Sequence, residues 1–512
     1  MLPKATTPWT LFEAAHLLNR AGFGGSPTDI KTFHALGREA AVESLINPPD
    51  DTAQFPPPAW STPEQAMADM REQFEQRRES MRATRNLSPE EADRIRREAR
   101  QKMQQQDRRH ALEGQGWWFR RMHRTPAPLR EKMTLFWHDH FATSAQKVRQ
   151  PVLLMIQNDL FRKHSLGSFK ELTHAIVVDP AMMLYLDTQS SKKGKPNENF
   201  AREVMELFTL GEGKYSEEDI REAARAFTGY SVNRLNGRVD HTPRQWDEGK
   251  KTIFGETGNF KGDDVISLIF DQEQPSLFIA RKIWEFFVYE SPSESAVQAL
   301  GGILRKSDYQ VAPLLREIFL SKEFYSDSTI RNQIKSPVQF LISMLKQLEI
   351  SEPPGGFPIT GQQQLGQVLF MPPNVAGWDW GKAWINTNTL LTRYNLSGFL
   401  TKGSTEASTK SEEPDSMMME MEKTPGMAPP PRNMGKNWRG PDYKKIAPAA
   451  SRGNVEDLVD TLIFRFFQGP VPKLARESFI DYAKAKKGVI FTDKEVGELC
   501  HLMMSTPYYQ LC

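Results

Sequence analysis

The chain has 512 residues, a formal net charge of +2, 39% apolar and 25% charged residues. That is the composition of a soluble globular protein, and the length suits one large core or a few small ones. The near-zero charge recruits neither nucleic acid nor an anionic membrane surface. No run approaches the roughly 20 apolar residues of a membrane span, so no transmembrane segment is expected.

Two cysteines, Cys500 and Cys512, support neither a disulfide framework nor a thiolate zinc cluster. Residues Met1–Thr6 contain no apolar stretch, so the expected compartment is the cytoplasm. An N-terminus lying further upstream would make it the periplasm.

In chain order, residues 9–47 read as two helices, broken at Gly22, Gly24 and Gly25 and restarted at Ser26-Pro27. A proline-rich linker, 48–62, leads into a charged stretch, 64–110, where arginines alternate with glutamates. Ser88 and Glu91 have capping-box spacing at its midpoint. The mixed signs predict a solvated helical hairpin inserted into the fold, not a nucleic-acid arm.

Apolar helices follow, from Pro128 to the stop at Asp179-Pro180. A central helix is predicted from its N-cap at Asn197 to the glycines Gly211 and Gly213. Near 230–260 short glycine-broken segments predict a small β-hairpin or ordered loop, after which helical periodicity runs to Leu348. Residues 397–454 are low-complexity and expected to be disordered, and 455–512 return to helix. The expected fold class is therefore all-α: one large multi-helix domain built from 1–396 and 455–512.

No phosphate loop, dinucleotide fingerprint, zinc-protease helix or nucleophile elbow occurs. Three stretches could carry chemistry. In Trp137-His138-Asp139-His140-Phe141, a helix turns the two imidazoles about 200° apart, so at most one serves a given site. His140 faces the apolar side, and its other reading is a hydrogen-bonded core histidine.

On the central helix Asn199, Arg202, Glu203 and Glu206 share a stripe. It is either a catalytic face, with Glu203 joining His138 or His140 on a divalent metal, or a plain ion-pair network. The third stretch, Asn374–Trp384, offers Asn374, Trp378 and Trp384 as a platform for a flat ligand, with Asp379 as a further acid. The competing reading packs those tryptophans onto helices. Metal-assisted hydrolysis or oxidation would use such His and Glu ligands, with a spare glutamate as base. The alternative function is non-catalytic binding or assembly.

Four strings, His16–Gly24, Phe136–Ser144, Asn197–Thr228 and Pro372–Trp378, resemble the domain-of-unknown-function 1800 family, and they occur in its order. The resemblance implies a bacterial, predominantly helical protein with no established activity. Members of that family are often exported and encoded beside a second uncharacterised family with a phosphatase- or sulfatase-like fold. This implies envelope or surface-polymer work and a partner of that second kind. One departure stands out: where members commonly read His-Asp before a glycine-lysine turn, this chain has Trp246-Asp247.

Overall fold

Helix starts follow the capping residues. A computed structural model of the chain describes residues 1–85, 87–233, 237–402, 438–486 and 490–512. In it Thr10, Ser26, Ser88 and Ser216 each accept from the backbone three residues on, and the acidic residue there bonds back. Each box satisfies two otherwise orphaned N–H groups and sets the entry angle of its helix.

One apolar core runs through the molecule, from Phe23 near the N-terminus through Trp118, Trp137 and Trp284 to Tyr509. Among the described residues the only strands form two antiparallel ribbons. Tyr230–Val232 pairs with Val239–His241, and Lys251–Ile253 pairs with Glu256–Gly258. The single hairpin expected near 230–260 is thus two. The second turns through Phe254 and Gly255, both at positive φ, as a tight hairpin turn demands.

Other boundaries also differ from expectation. Residues 9–47 hold three helices, Leu11–Ala21, Pro27–Ala35 and Arg38–Ile46, because Gly37 at φ +80° interrupts the second segment. The charged hairpin consists of Pro63–Ala83 and Pro89–Arg124. Its second arm is 36 residues long, and the last turns bury Trp117, Trp118 and Phe119 in the core. The insertion and the core therefore share one continuous helix.

The stretch expected to be disordered, 397–454, is ordered at both flanks. Residues 397–402 complete the helix Thr387–Lys402, and Tyr443–Ile446 is a short helix that buries Tyr443 and Ile446. Residues 403–437 lie outside the described residues. At the far end, residues 510–512 run antiparallel to 333–335, with Lys335 N–H on the Gln510 carbonyl at 2.8 Å and Cys512 N–H on Gln333 at 2.9 Å. No described helix is long and apolar enough to cross a membrane.

Candidate functional site

The helix Pro128–His140 is buried all round from Glu131 to His140, so each polar side chain on it must find a partner inside the protein. Its two sides solve this differently. Glu131 faces Trp118 and two arginines, accepting from Trp118 Nε1 at 2.9 Å and Arg162 at 2.6 Å and forming an ion pair with Arg121 at 2.9 Å. Lys132, Phe136, Asp139 and His140 fall on another stripe. They line a cavity of about 570 Å³, together with Lys282, Phe286, Gln339 and Trp380.

Asp139 is 9% exposed. One carboxylate oxygen accepts from Trp378 N–H at 2.7 Å and the other from the Trp380 indole N–H at 3.0 Å. Burial pushes this carboxyl up to about 7, and the charge of Asp379 adds to the push. The two N–H donors and Lys282 act the other way. The loop can come this close because Gly377 sits at φ +88°, where a Cβ would run into the Asp139 carboxylate.

His140 bridges two elements. Its Nε2 lies 3.0 Å from the Phe208 carbonyl and its Nδ1 lies 3.3 Å from Lys282 Nζ. A carbonyl only accepts, so Nε2 carries the proton and Nδ1 receives one from the ammonium. Burial and the Lys282 charge hold this imidazole neutral, well below its usual range. Lys282 is itself lowered by burial, against the pull of Asp139 and Glu285. Lys132 donates to Gln339 Oε1 at 2.6 Å, and burial lowers it to about 8.

The central helix meets this site through its backbone. Asn197 caps Glu198–Glu203, and Val204–Thr209 continues with a widened π turn before Gly211 at φ +86°. The Phe208 carbonyl, one of the last-turn acceptors that a helix end leaves free, is the group His140 takes. Phe200, Val204 and Phe208 are buried on the inner side, which turns the polar stripe outward. There Arg202 donates to Glu217 at 2.8 and 2.9 Å and approaches Glu198 at 3.7 Å. Glu206 accepts from Tyr215, and Asn199 donates to the Leu186 carbonyl at 3.3 Å. Glu203 stands half-buried near Tyr185. None of the four lines the cavity.

His138 points away from it too. It is 1% exposed and sits among Trp118, Phe370, Trp378 and Phe161, with centroids 5.3 to 6.1 Å away. Neither ring nitrogen has a hydrogen-bond partner among the described residues, and burial lowers the imidazole to about 3. His138, His140 and Glu203 therefore share no ligand sphere. Among the described residues no three His, Cys, Asp or Glu side chains are grouped to hold a metal ion.

The aromatic loop divides as well. Trp378 is buried on the cavity wall, whereas Trp384 is buried away from it. Asn374 turns its side chain back onto Ala376 N–H at 2.8 Å, and Asp379 is exposed. Trp246 serves as a half-buried ring under Lys251 and Lys261, at 4.8 and 5.4 Å.

Asp139, Lys132, Lys282 and Gln339 were missed as site residues. Asp139 and Lys132 carry a faint signal, since with His140 they stand at positions i, i+7 and i+8 of an otherwise apolar stripe with Leu129, Met133 and Phe136. Lys282 and Gln339 carry none, because distant segments bring them in.

Fold and cavity together define a predominantly helical protein with a polar, aromatic-walled pocket built around one buried helix. Residues 16–511 match the family described as Protein of unknown function (DUF1800), and the chain belongs to that family. No curated protein and no solved structure matches it.

Proposed function

We propose that the chain binds a small polar molecule in this cavity and exchanges a proton with it through Asp139. The observation that carries this reading is a desolvated carboxyl, raised to about 7, on a cavity wall beside Lys282 and the neutral His140. A carboxyl poised near neutrality both donates and accepts protons at working pH. Trp380, 42% exposed at the same wall, gives a ring for a ligand to stack on. The residues expected to hold a metal are separated, so proton transfer takes the place of metal-assisted hydrolysis or oxidation in this reading.

The test is a thermal-shift and native-mass screen of metabolite mixtures, followed by titration of each hit against tryptophan emission over a range of pH. Binding should quench emission and follow an apparent pKa near that of Asp139, a dependence that Asp139→Asn removes. Ligands that bind without touching tryptophan emission, or whose affinity ignores pH and Asp139→Asn alike, would overturn the proposal.

A further inference from the structure

Two buried arginines on the far side of the helix Pro128–His140 are matched by buried carboxylates. Arg121 lies 2.6 Å from Asp51 and 2.9 Å from Glu131, and Arg162 lies 2.6 Å from Glu131. Around one side of the cavity that matching stops. Lys132 and Lys282 are on the wall, and Arg20, Lys335 and Arg393 pack behind it. Among the described residues none of the five makes an ion pair with a carboxylate.

Their hydrogen bonds go to neutral acceptors. Arg20, 2% exposed, donates to the Val288 and Thr329 carbonyls at 2.6 and 2.8 Å and to cavity-lining Asn332 at 2.6 Å. Its Nε and Nη1 have no partner. Lys335 donates to the Tyr509 carbonyl at 2.8 Å, and Arg393 to the Lys335 carbonyl at 2.8 Å. Arg393 Nε is likewise without a partner. The helix Pro337–Gln347 starts at cavity-lining Ser336, adding the positive end of its dipole to the same side.

Buried cations gathered on one side of an open volume, with no carboxylate in ion-pair range, are what an ion of the other sign can pair with. We propose that the Lys132 side of the cavity binds an oxyanion, so that the ligand carries a carboxylate or a phosphate group. This rests on the reading of the cavity as a ligand site and names its ligand class. Lys132, Gln339 and Ser336 present donors to the anion. Phe286 stands on the same wall, 5.4 Å from Lys132 Nζ and 5.0 Å from the Trp380 ring.

The carboxylates facing Lys282 are Asp139 and Glu285, and Glu290 lines the cavity as well. Cys512 draws Arg20, Lys132, Lys335 and Arg393 back toward their ordinary values, one negative group against four positive ones. Lys132, at about 8, is still mostly protonated at neutral pH.

Calorimetric titration of the full chain with inorganic phosphate and, separately, with acetate tests this and tells the two oxyanions apart. At least one should bind saturably, Lys132→Met should weaken it roughly tenfold or more, and Lys132→Arg should retain it. The surface variant Lys193→Met should bind as wild type does. Because Lys132→Met removes a buried group and could fail to fold, wild-type crystals soaked in selenate give an independent readout. An anomalous peak in hydrogen-bond range of Lys132 Nζ supports the site. The inference is overturned if neither anion binds, if Lys132→Met binds them unchanged, or if the selenate peak is missing. A neutral metabolite that quenches Trp380 while phosphate and acetate do not bind would overturn the anion and leave the pocket standing.

Discussion

Replacing Asp139 by asparagine should reverse in sign between acid and alkali. In the folded chain this carboxyl sits at about 7, against an ordinary 3.8. A carboxyl pKa raised by folding means that the fold prefers the protonated form. Its stabilising contribution is complete below about pH 4 and is lost as pH rises through 7.

The interval is roughly 3 pH units at 1.36 kcal/mol each, so at most about 4 kcal/mol is at stake. Water reaching the carboxyl through the cavity reduces that figure. Asparagine has the same shape and does not titrate. Its oxygen can still accept from Trp378 N–H, but its amide would face the Trp380 indole N–H as a second donor. That loses one hydrogen bond, worth about 1 kcal/mol, and half-exposed Trp380 can recover part of it from water.

Urea unfolding followed by circular dichroism should therefore find the variant less stable by about 1 kcal/mol near pH 3.5 and more stable by roughly 1 to 3 kcal/mol near pH 8. Asp179, also raised to about 7 by burial, contributes equally to both proteins and cancels in the difference. A difference that stays flat across this range would refute the reasoning.

Three further substitutions probe the frame around the cavity. Glu131→Gln removes the charge shared by Arg121 and Arg162 and should cost about 3 to 5 kcal/mol in urea unfolding, as stranding buried charge does. Gly377→Ala forces a side chain into positive φ and into the Asp139 carboxylate. It should destabilise by about 1 to 3 kcal/mol and shift tryptophan emission to the red as the loop lifts. His138→Phe replaces a ring without hydrogen-bond partners by one of similar shape, so thermal melting at neutral pH should hold or rise. Folding lowers the His138 pKa to about 3, so its stabilising contribution is present above about 6.5 and is lost as pH falls toward 3. The variant should thus lose less stability in acid than wild type, and an identical acid limb for the two proteins would count against this.

The helical architecture was legible because its signals are local. Ser88 with Glu91, Ser26 with Asp29 and Ser216 with Asp219 each announce a helix within four residues, and each box is formed. The divergence of His138 from His140 followed from helical phase alone, and the two rings do face different surroundings. The long second arm, 89–124, was less legible, since its charged half and its Trp117-Trp118-Phe119 half look like different elements. So were the flanks of the low-complexity stretch, where Tyr443 and Ile446 are too few apolar residues to signal an ordered turn.

The cavity was hidden for a different reason. Periodicity separates inside from outside but assigns no chemistry to what lies inside, and it sorted the polar stripe of the central helix as the feature to watch. Polar residues in a regular stripe are what a solvated face needs, so Arg202 spends its charge on Glu217 and Glu198 at the surface. The residues around the cavity are single polar groups set among apolar ones: Lys132 and Asp139 on one helix, Lys282 on another. Each looks like an exception to its own pattern. An exception that persists in a buried stripe carries a desolvation cost of several kcal/mol unless something offsets it. Three such exceptions from two helices, converging on one open volume with His140 between them, locate a site better than any run of matching residues. The central helix still touches that site, but through the Phe208 carbonyl, a group every residue possesses and no side-chain pattern records.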